Sequence, residues 1–187
     1  MEKSTDITKL KLAYAMRECM EKETVEEITV REICKKSNFS RQTFYRCFID
    51  KYDLINWYFD RILHESFHQM GKGRTIRESL ILKFNYIQQE LVFFKAGFQS
   101  DDVNNLKEHD FKMIFAFYQN LIEEKSGSKP DKRIKDILEM YCQSSVYMTV
   151  EWITGHNQNT SEGLADMMID AMPYKLSKLF VKLNILD

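Results

Sequence analysis

The sequence predicts an all-α fold in two parts, an N-terminal head of three helices and a C-terminal bundle of about six. Apolar residues recur at the three- to four-residue spacing of one helix face along most of the chain. No stretch shows the strict apolar–polar alternation of a half-buried strand. With only 6 Gly and 2 Pro, the chain also lacks the turn residues that a fold of many short strands requires.

Composition excludes several classes of protein. Hydrophobic residues make up 44% and charged residues 29% of the chain, values typical of a globular protein with a real core. The longest run without a charge, Met140 to Val150, is far shorter than the roughly 20 apolar residues of a membrane span. The N-terminal MEKSTDITKL has acidic residues and no apolar segment, so we expect a cytoplasmic protein without a secretory signal. Four scattered cysteines are expected to be buried free thiols rather than redox or metal-binding groups: Cys19, Cys34, Cys47 and Cys142.

Capping residues predict the helices of the head. Residues 7–22 carry one apolar stripe and form a first helix. Thr29 caps a second helix, and Glu32 follows at the spacing of a capping box. After a break at 36–39, Ser40 supplies the N-cap of a third helix. A short helix, a tight turn and a second short helix rich in hydrogen-bonding side chains make a helix-turn-helix, which predicts contact with duplex DNA.

Positive charge is concentrated on this motif. Residues 31–51 carry six basic and two acidic side chains, a net of +4 in a chain whose formal net charge is −1, so a basic module stands on an acidic body. Arg suits guanine, Gln suits adenine, and a Thr methyl group can meet a thymine methyl group. Tyr45 is expected to bind a phosphate through its hydroxyl, and Thr29 through its hydroxyl and backbone amide together. The residues expected to face the groove are Arg41, Gln42, Thr43 and Arg46. For each of these residues the alternative is an ordinary solvated side chain.

The remainder of the chain predicts the body. Asp50 caps a long helix, about 51–70, which links head and body and ends at the glycines of 71–73. We therefore place one domain at 1–51 and a second at 52–187. Further helices are predicted at 75–95, 111–124, 131–154 and from Thr160 onward, with Gly97 ending the first of them and Pro173 kinking the last.

Three stretches of the head resemble TetR-type transcriptional regulators. They are TVREI at 29–33, SRQTFYRCF at 40–48 and DKYDL at 50–54. The family pattern has a small residue and Ile in the first helix of the motif, Ser at the turn, Tyr-x-x-Phe closing the second helix, and Lys-x-x-Leu opening a linking helix. The resemblance covers about residues 7–58. It departs at 37–39, where Ser-Asn-Phe replaces the usual Ala-Gly-Val, but Asn tolerates the left-handed turn that Gly would supply.

A second resemblance extends into the body. KYDLINWY at 51–58, together with EWI at 151–153 before TSE at 160–162, is similar to the branch that regulates dihydroxyacetone kinase operons. That branch includes co-activator-dependent activators as well as repressors.

The resemblance implies a DNA-binding transcriptional regulator and not an enzyme. The family default is an effector-responsive repressor that binds a palindromic operator as a homodimer. An activator whose body binds a protein co-activator is the alternative. Lys51 resembles the phosphate-binding Lys of the family. The complete set of expected DNA-contacting residues is Thr29, Arg31, Ser40, Arg41, Gln42, Thr43, Tyr45, Arg46 and Lys51.

The body is expected to dimerise and to sense a small molecule. The last two long helices are the expected dimer surface, through Tyr141, Ser145, Met148, Trp152, Met168 and Met172. The candidate effector cavity is lined by Phe84, Phe94, Phe115 and Tyr118. For both sets the alternative is a close-packed intramolecular core.

One motif suggests a different class of function. His64 and His68 form an H-E-x-x-H pattern, which places both imidazoles on one helix face, as in a zinc hydrolase. The pattern lies in the predicted linking helix, and His109 is the only distant candidate for a third ligand. We therefore expect no metal and no cofactor, and keep a zinc-dependent hydrolase or a metal sensor as remote alternatives.

Overall fold

The computed structural model describes residues 2–102 and 105–186. Residue 1 of the first predicted domain and residues 103, 104 and 187 of the second lie outside the described residues. All regular secondary structure in the described residues is helical, apart from one isolated bridge between Met70 and Arg74, and these residues form no strand. The all-α prediction is confirmed. The helices are α1 (Glu2–Met20), α2 (Val30–Ser37), α3 (Arg41–Cys47), α4 (Lys51–Phe67), α5 (Ile76–Gln89), α6 (Leu91–Gln99), α7 (Leu106–Ser126), α8 (Lys132–Thr154), α9 (Ser161–Asp170) and α10 (Tyr174–Lys182).

The head consists of α1 to α3, and local capping chemistry defines its ends. The Thr29 side chain accepts a hydrogen bond from the Glu32 amide, and the Glu32 carboxylate accepts one from the Thr29 amide, the reciprocal pair of a capping box. Asn38 ends α2 in the left-handed conformation, with φ of 57°. Ser40 then caps α3 by accepting from the Thr43 amide. The side chain of Phe44 is fully buried and anchors α3 on the head core.

The head packs on α4 through one tryptophan. The Trp57 ring lies edge-on to Phe48, with 5.6 Å between centroids. Lys9 of α1 places its ammonium 5.2 Å from the Trp57 ring centre, and Arg61 places its guanidinium carbon 5.5 Å from it. The Lys9 contact ties α1 to α4 at this joint, while Arg61, itself on α4, covers the same indole ring from within that helix.

The largest correction concerns Gly97, which does not end a helix. The chain leaves helical geometry at Glu90 instead, where φ is −113° and ψ is 36°, and this separates α5 from α6. Gly97 lies inside α6 and is buried. A Cβ atom at this position would lie 3.2 Å from Ile55 Cγ2 and 3.3 Å from Leu106 Cδ2. Gly97 therefore serves the close approach of α6 to its neighbours, a role that a single sequence does not distinguish from a helix stop.

Two other predicted boundaries shift. Helix α7 begins at Leu106 rather than 111, because the Asn105 side chain accepts from the Glu108 amide and caps it there. Pro173 separates α9 from α10 and does more than kink a continuous helix. Helix α8 runs as predicted, from its cap at Asp131 to Gly155, whose φ is 92°.

The body core contains a buried ion pair between α5 and α7. The Lys83 ammonium lies 2.9 and 3.0 Å from the two carboxylate oxygens of Asp110, and their side chains are 4% and 0% exposed. The same ammonium lies 5.3 Å from the ring centre of Phe59 on α4. Burial raises the pKa of Asp110 although the charge of Lys83 acts in the opposite direction. The pair thus joins three helices at the centre of the body.

Among the described residues, no helix is both long and apolar enough to cross a membrane.

Candidate nucleic-acid interface

Helix α3 presents a polar face opposite its buried anchor. Phe44 points into the head, while Arg41, Gln42, Tyr45 and Arg46 are exposed. Tyr45 is 58% exposed, and its ring packs edge-on against the Phe44 ring at 5.5 Å. The structure therefore places four of the predicted residues together on one solvent-facing surface, which we call the reading face.

Two further predicted residues serve partly to hold α3. Thr43 is half-buried, and its hydroxyl lies 3.0 Å from the Ser40 hydroxyl. The Ser40 oxygen also accepts from the Thr43 amide at 3.1 Å. Both side chains are adjacent to the reading face, and their hydrogen bonds fix the first turn of α3.

The start of α2 is committed to its own cap. The Thr29 hydroxyl donates to Glu32 Oε2 at 2.6 Å, and the Thr29 amide donates to the same oxygen at 2.7 Å. These two hydrogen bonds hold the pKa of Glu32 below its ordinary value. A DNA phosphate bound at Thr29 would compete with the Glu32 carboxylate for the hydroxyl and amide donors of Thr29. Arg31, beside it, is exposed.

Lys51 is tied to the head. Its ammonium donates to the backbone carbonyls of Glu26 and Ile28, both at 2.8 Å. Burial lowers the pKa of Lys51, against the opposing effect of Glu26 and other nearby carboxylates. An ammonium has three N–H groups, so these carbonyls engage two of them, and the ammonium also lies 5.4 Å from the centre of the Tyr52 ring. The resemblance did not indicate this tie, because it depends on the folded path of residues 21–29.

Four of the six predicted dimer residues lie inside the subunit, and their contacts are intramolecular. Tyr141 is 5% exposed, and its hydroxyl donates to the Met168 carbonyl at 3.0 Å. The Trp152 indole donates to the Asn159 carbonyl at 2.7 Å and packs 5.5 Å from the Phe84 ring. Met168 and Met172 are buried as well. These four side chains bind α8 to α9 and α5 within one subunit.

The other two predicted residues are half-buried on α8. The Ser145 hydroxyl donates to the Tyr141 carbonyl one turn earlier, at 2.8 Å. Met148 packs partly against the core. Neither is among the exposed side chains of this helix.

The exposed stripe of α8 lies one residue away from the predicted one. Met140 is 73% and Tyr147 is 62% exposed, and Ser144 between them also faces solvent. Together they line a shallow, open depression of about 820 Å³. A shift of one residue turns a helix by about 100°, so the exposed side of α8 differs from the side that carries the buried Tyr141 and Trp152. We call Met140, Ser144 and Tyr147 the outer face of α8.

The predicted effector-cavity residues pack as core. Phe84 and Phe94 are fully buried, and Phe94 lies 5.2 to 6.0 Å from three other aromatic rings. Tyr118 stacks on Phe180 at 5.5 Å, and burial raises its pKa well above the ordinary value. Phe115, half-buried, stacks on a neighbouring ring of α7 at 5.6 Å. These contacts favour the intramolecular alternative.

The two histidines of the H-E-x-x-H pattern are exposed on α4. Their rings stack at 5.4 Å, and His68 Nδ1 lies 3.0 Å from the His64 carbonyl. His109, the candidate third ligand, is bonded to Asp60 through Nε2 at 2.6 Å. In the part of the chain that the structure describes, no group of three or more His, Cys, Asp or Glu side chains could hold a metal ion.

Comparison with known proteins decides the family. A family model described as the C-terminal region of transcriptional regulators of the TetR type matches residues 74–174, from just before α5 to the first residue of α10. The chain belongs to this family. The predicted membership is confirmed by a match in the body, whereas the resemblance read from the sequence lay mainly in the head.

Two relatives of this TetR-type regulator place it beside one branch of the family. It is 25% identical over 99 residues to the HTH-type dhaKLM operon transcriptional activator DhaS of Lactococcus lactis subsp. lactis (strain IL1403), and the match spans 53% of each protein. The aligned part is thus about half the length of that relative. A solved structure of a dihydroxyacetone kinase operon activator DhaS superposes with a TM-score of 0.62 over 97% of this chain and 98% of that one, at 19% identity. The regulator shares that fold, and both names are those of transcription regulators rather than enzymes.

Proposed function

We propose that this regulator binds double-stranded operator DNA through the reading face of α3. The proposal rests on the exposed cluster of Arg41, Gln42, Tyr45 and Arg46. This cluster surrounds Phe44, the buried residue that anchors α3 in the helix-turn-helix. The two arginines and the glutamine match base edges in the major groove, and Tyr45 and Lys51 match phosphates. This function also agrees with the basic charge of residues 31–51.

The proposed binding unit is a homodimer on a palindromic operator. The outer face of α8 supports this, because Met140 and Tyr147 place two large, exposed side chains together in one depression, and grouped apolar surface of this kind is typical of interfaces. Charge complementarity supports it as well. Within the lining of this depression α8 exposes Asp136 and Glu139, while its own exposed Lys132, Arg133 and Lys135 lie outside that lining. The exposed charges of the neighbouring α10 are all lysines, Lys175, Lys178 and Lys182. A two-fold axis would bring α8 of one subunit to α10 of the other, twice.

Dimerisation is tested by the mass of the protein in sedimentation. Tyr147→Glu should shift the population to monomer at micromolar concentration, since it places a charge at the centre of the proposed interface. Val92→Glu is the matched control, because Val92 is also exposed, at 45%, but lies on α6. A Tyr147→Glu protein that remains dimeric would remove the outer face of α8 from the interface.

We propose an effector-responsive repressor, which acts by occupying DNA that polymerase needs. The second candidate is an activator whose body binds a protein co-activator. The names of both relatives favour it, as does the close packing of Phe84, Phe94 and Tyr118. The partner would find an exposed apolar pair at the start of α6, Leu91 and Val92. A reporter gene behind the operator discriminates the two, since deletion of the regulator raises expression in the first case and lowers it in the second.

The DNA-binding proposal is tested with the DNA upstream of the regulator's own gene. Fluorescence anisotropy over a salt series should show binding that weakens steeply as salt rises, because phosphate contacts release counterions. The Arg41→Ala/Tyr45→Ala variant should lose about 30-fold or more in affinity. Two good contacts to DNA at about 1–3 kcal/mol each amount to at least about 2 kcal/mol, and 1.4 kcal/mol is a factor of ten. Lys112→Ala, an exposed Lys of α7, is the control. If the wild type binds this DNA no better than a random fragment and the double variant changes nothing, the assignment of α3 is wrong.

A further inference from the structure

Helix α6 is bonded to the head at both of its ends. At its start, Glu90 Oε2 accepts from Arg17 Nη1 of α1 at 2.9 Å. At its end, the Ser100 hydroxyl donates to Glu26 Oε1 in the loop between α1 and α2 at 2.6 Å. The two bonds are separated by the full length of a nine-residue helix, so together they set the direction of the head as well as its position.

The second of these bonds lies at the edge of a gap. An open cleft of about 350 Å³ separates the α1–α2 loop from α6, lined among others by Val25, Glu26, Ala96 and Gln99. Ser100 is buried at this cleft, with an exposed fraction of 2%. Its hydroxyl reaches across the cleft to the carboxylate of Glu26 in the head. A hydrogen bond between a hydroxyl and a carboxylate is among the stronger ones. The connection here is therefore polar and directional.

The loop that receives this bond continues directly into the reading motif. The carbonyl of Glu26 is one of the two that hold the Lys51 ammonium, and Ile28 provides the other. Thr29, the next residue, is the N-cap of α2. A displacement of Ser100 is thus carried over three residues to the helix-turn-helix.

On the other side, α6 is fixed in the body. Phe93, Phe94 and Phe98 are fully buried, and Gly97 brings the helix against Ile55 and Leu106. Helix α6 also packs on α8, which carries the proposed dimer face. Contacts therefore run without interruption from the outer face of α8 through α6 to the head.

We infer that Arg17, Glu26, Glu90 and Ser100 are positioning residues, forming two polar tethers by which α6 sets the orientation of the reading head on the body. In a dimer this orientation fixes the distance between the two reading faces, and so the half-site spacing that the protein accepts. The inference rests on the proposed function and adds the element through which a change in the body would reach DNA.

Hydrogen–deuterium exchange on the full-length protein tests the tethers without DNA. In the Arg17→Glu/Ser100→Ala variant, exchange of residues 26–47 should accelerate by about tenfold, the factor that corresponds to about 1.4 kcal/mol. Residues of α7 to α9 should be unchanged. Arg77→Glu is the matched control, because it breaks an exposed bidentate pair with Asp166 that joins α5 to α9 inside the body. The charge-swapped Arg17→Glu/Glu90→Arg protein should return the exchange rate of α1 and α2 to that of the wild type.

Operator affinity then separates positioning from simple support. The double variant should bind its DNA about tenfold more weakly and discriminate less between half-site spacings, while Arg77→Glu, at equal loss of thermal stability, should do neither. Unchanged head exchange in the double variant, or unchanged affinity despite faster exchange, would overturn the inference. If wild-type protein binds no DNA at all, the proposed function fails, but the exchange experiment still decides whether the tethers hold the head.

Discussion

The head and the body of this regulator are built by opposite strategies. The head is a small core of apolar side chains with its charges outside, and caps at Thr29, Ser40 and Asp50 determine where its helices begin. The body buries an ion pair between Lys83 and Asp110 at its centre. Local chemistry therefore specifies the head, whereas long-range pairing specifies the alignment of helices in the body.

This contrast explains where each region does its work. In the head, the residues of the reading face, which we propose bind DNA, are exposed, so they can vary without loss of the fold. In the body, the buried side chains hold the helices together, and their packing determines which helix faces remain exposed. A change in the body core is therefore expected to affect folding and the head position together, and a change on the reading face only binding.

The largest expected effect is in the body. Asp110→Ala should lower the free energy of unfolding by about 3–5 kcal/mol, because it leaves the Lys83 charge buried without a partner. Urea denaturation measures the loss. The double variant Lys83→Met/Asp110→Leu removes both charges and should be close to neutral, or more stable than the wild type. A single variant as stable as the double one would show that the pair is not buried as described.

A smaller effect is expected at the close approach of α6. Gly97→Ala should destabilise by roughly 1–2 kcal/mol, since the added methyl group meets Ile55 and Leu106 while the helix gains some propensity. Thermal denaturation is the measurement. Gly163→Ala is the control, because its Cβ would meet only the flexible Asn159 and Thr160 side chains at 3.2 Å and beyond, and it should be neutral or stabilising. Equal behaviour of the two variants would contradict the role given to Gly97.

In the head, loss of a cap should cost less but act locally. Ser40→Ala removes the side-chain acceptor for the Thr43 amide and should destabilise α3 by about 1 kcal/mol. Amide exchange at residues 41–47 reports it directly. The same substitution at a cap of the body, Thr160→Ala, should leave exchange of α3 unchanged. If both variants loosened α3, the separation of head and body would be wrong.

The smallest expected effect depends on pH. The hydrogen bond from Ser100 holds the pKa of Glu26 below its ordinary value, and this outweighs the opposing effect of burial. The stabilisation is therefore fully present above the ordinary value of 4.5 and is lost as pH falls through the lower, folded value. The melting temperatures of wild type and Ser100→Ala should converge over this range. Glu26→Gln should differ from the wild type in the same pH-dependent way, and a constant difference for both variants would contradict this assignment.

Much of the fold was predictable because helix caps act over three or four residues. The caps at Thr29, Ser40, Asp50 and Thr160 were each read from a side chain whose partner lies within one turn. The reading face was predictable for the same reason, since its exposure follows from the burial of Phe44 alone.

What could not be predicted depends on contacts between distant residues. Lys83 and Asp110 are 27 positions apart, and neither looks like a core residue by itself. The exposed side of α8 could not be chosen from the sequence because both candidate faces contain small, aromatic and Met side chains. Only packing against α7, α6 and α10 decides which face turns inward. Glu26 and Ser100, 74 positions apart, carry no signal in a single sequence.

The two tryptophans are placed so that each can serve as an intrinsic fluorescent probe of a different part of the molecule. Trp57 is half-buried at the joint of head and linking helix between two cations, and Trp152 is buried in the body beside Phe84. Each part thus holds one indole in a distinct environment. With one of them changed to Phe, the emission of the other would report, in real time and without a label, on its own surroundings. A change in Trp57 emission would mean that a conformational change in the body reaches the joint, and a change in Trp152 emission alone would mean that it stays within the body.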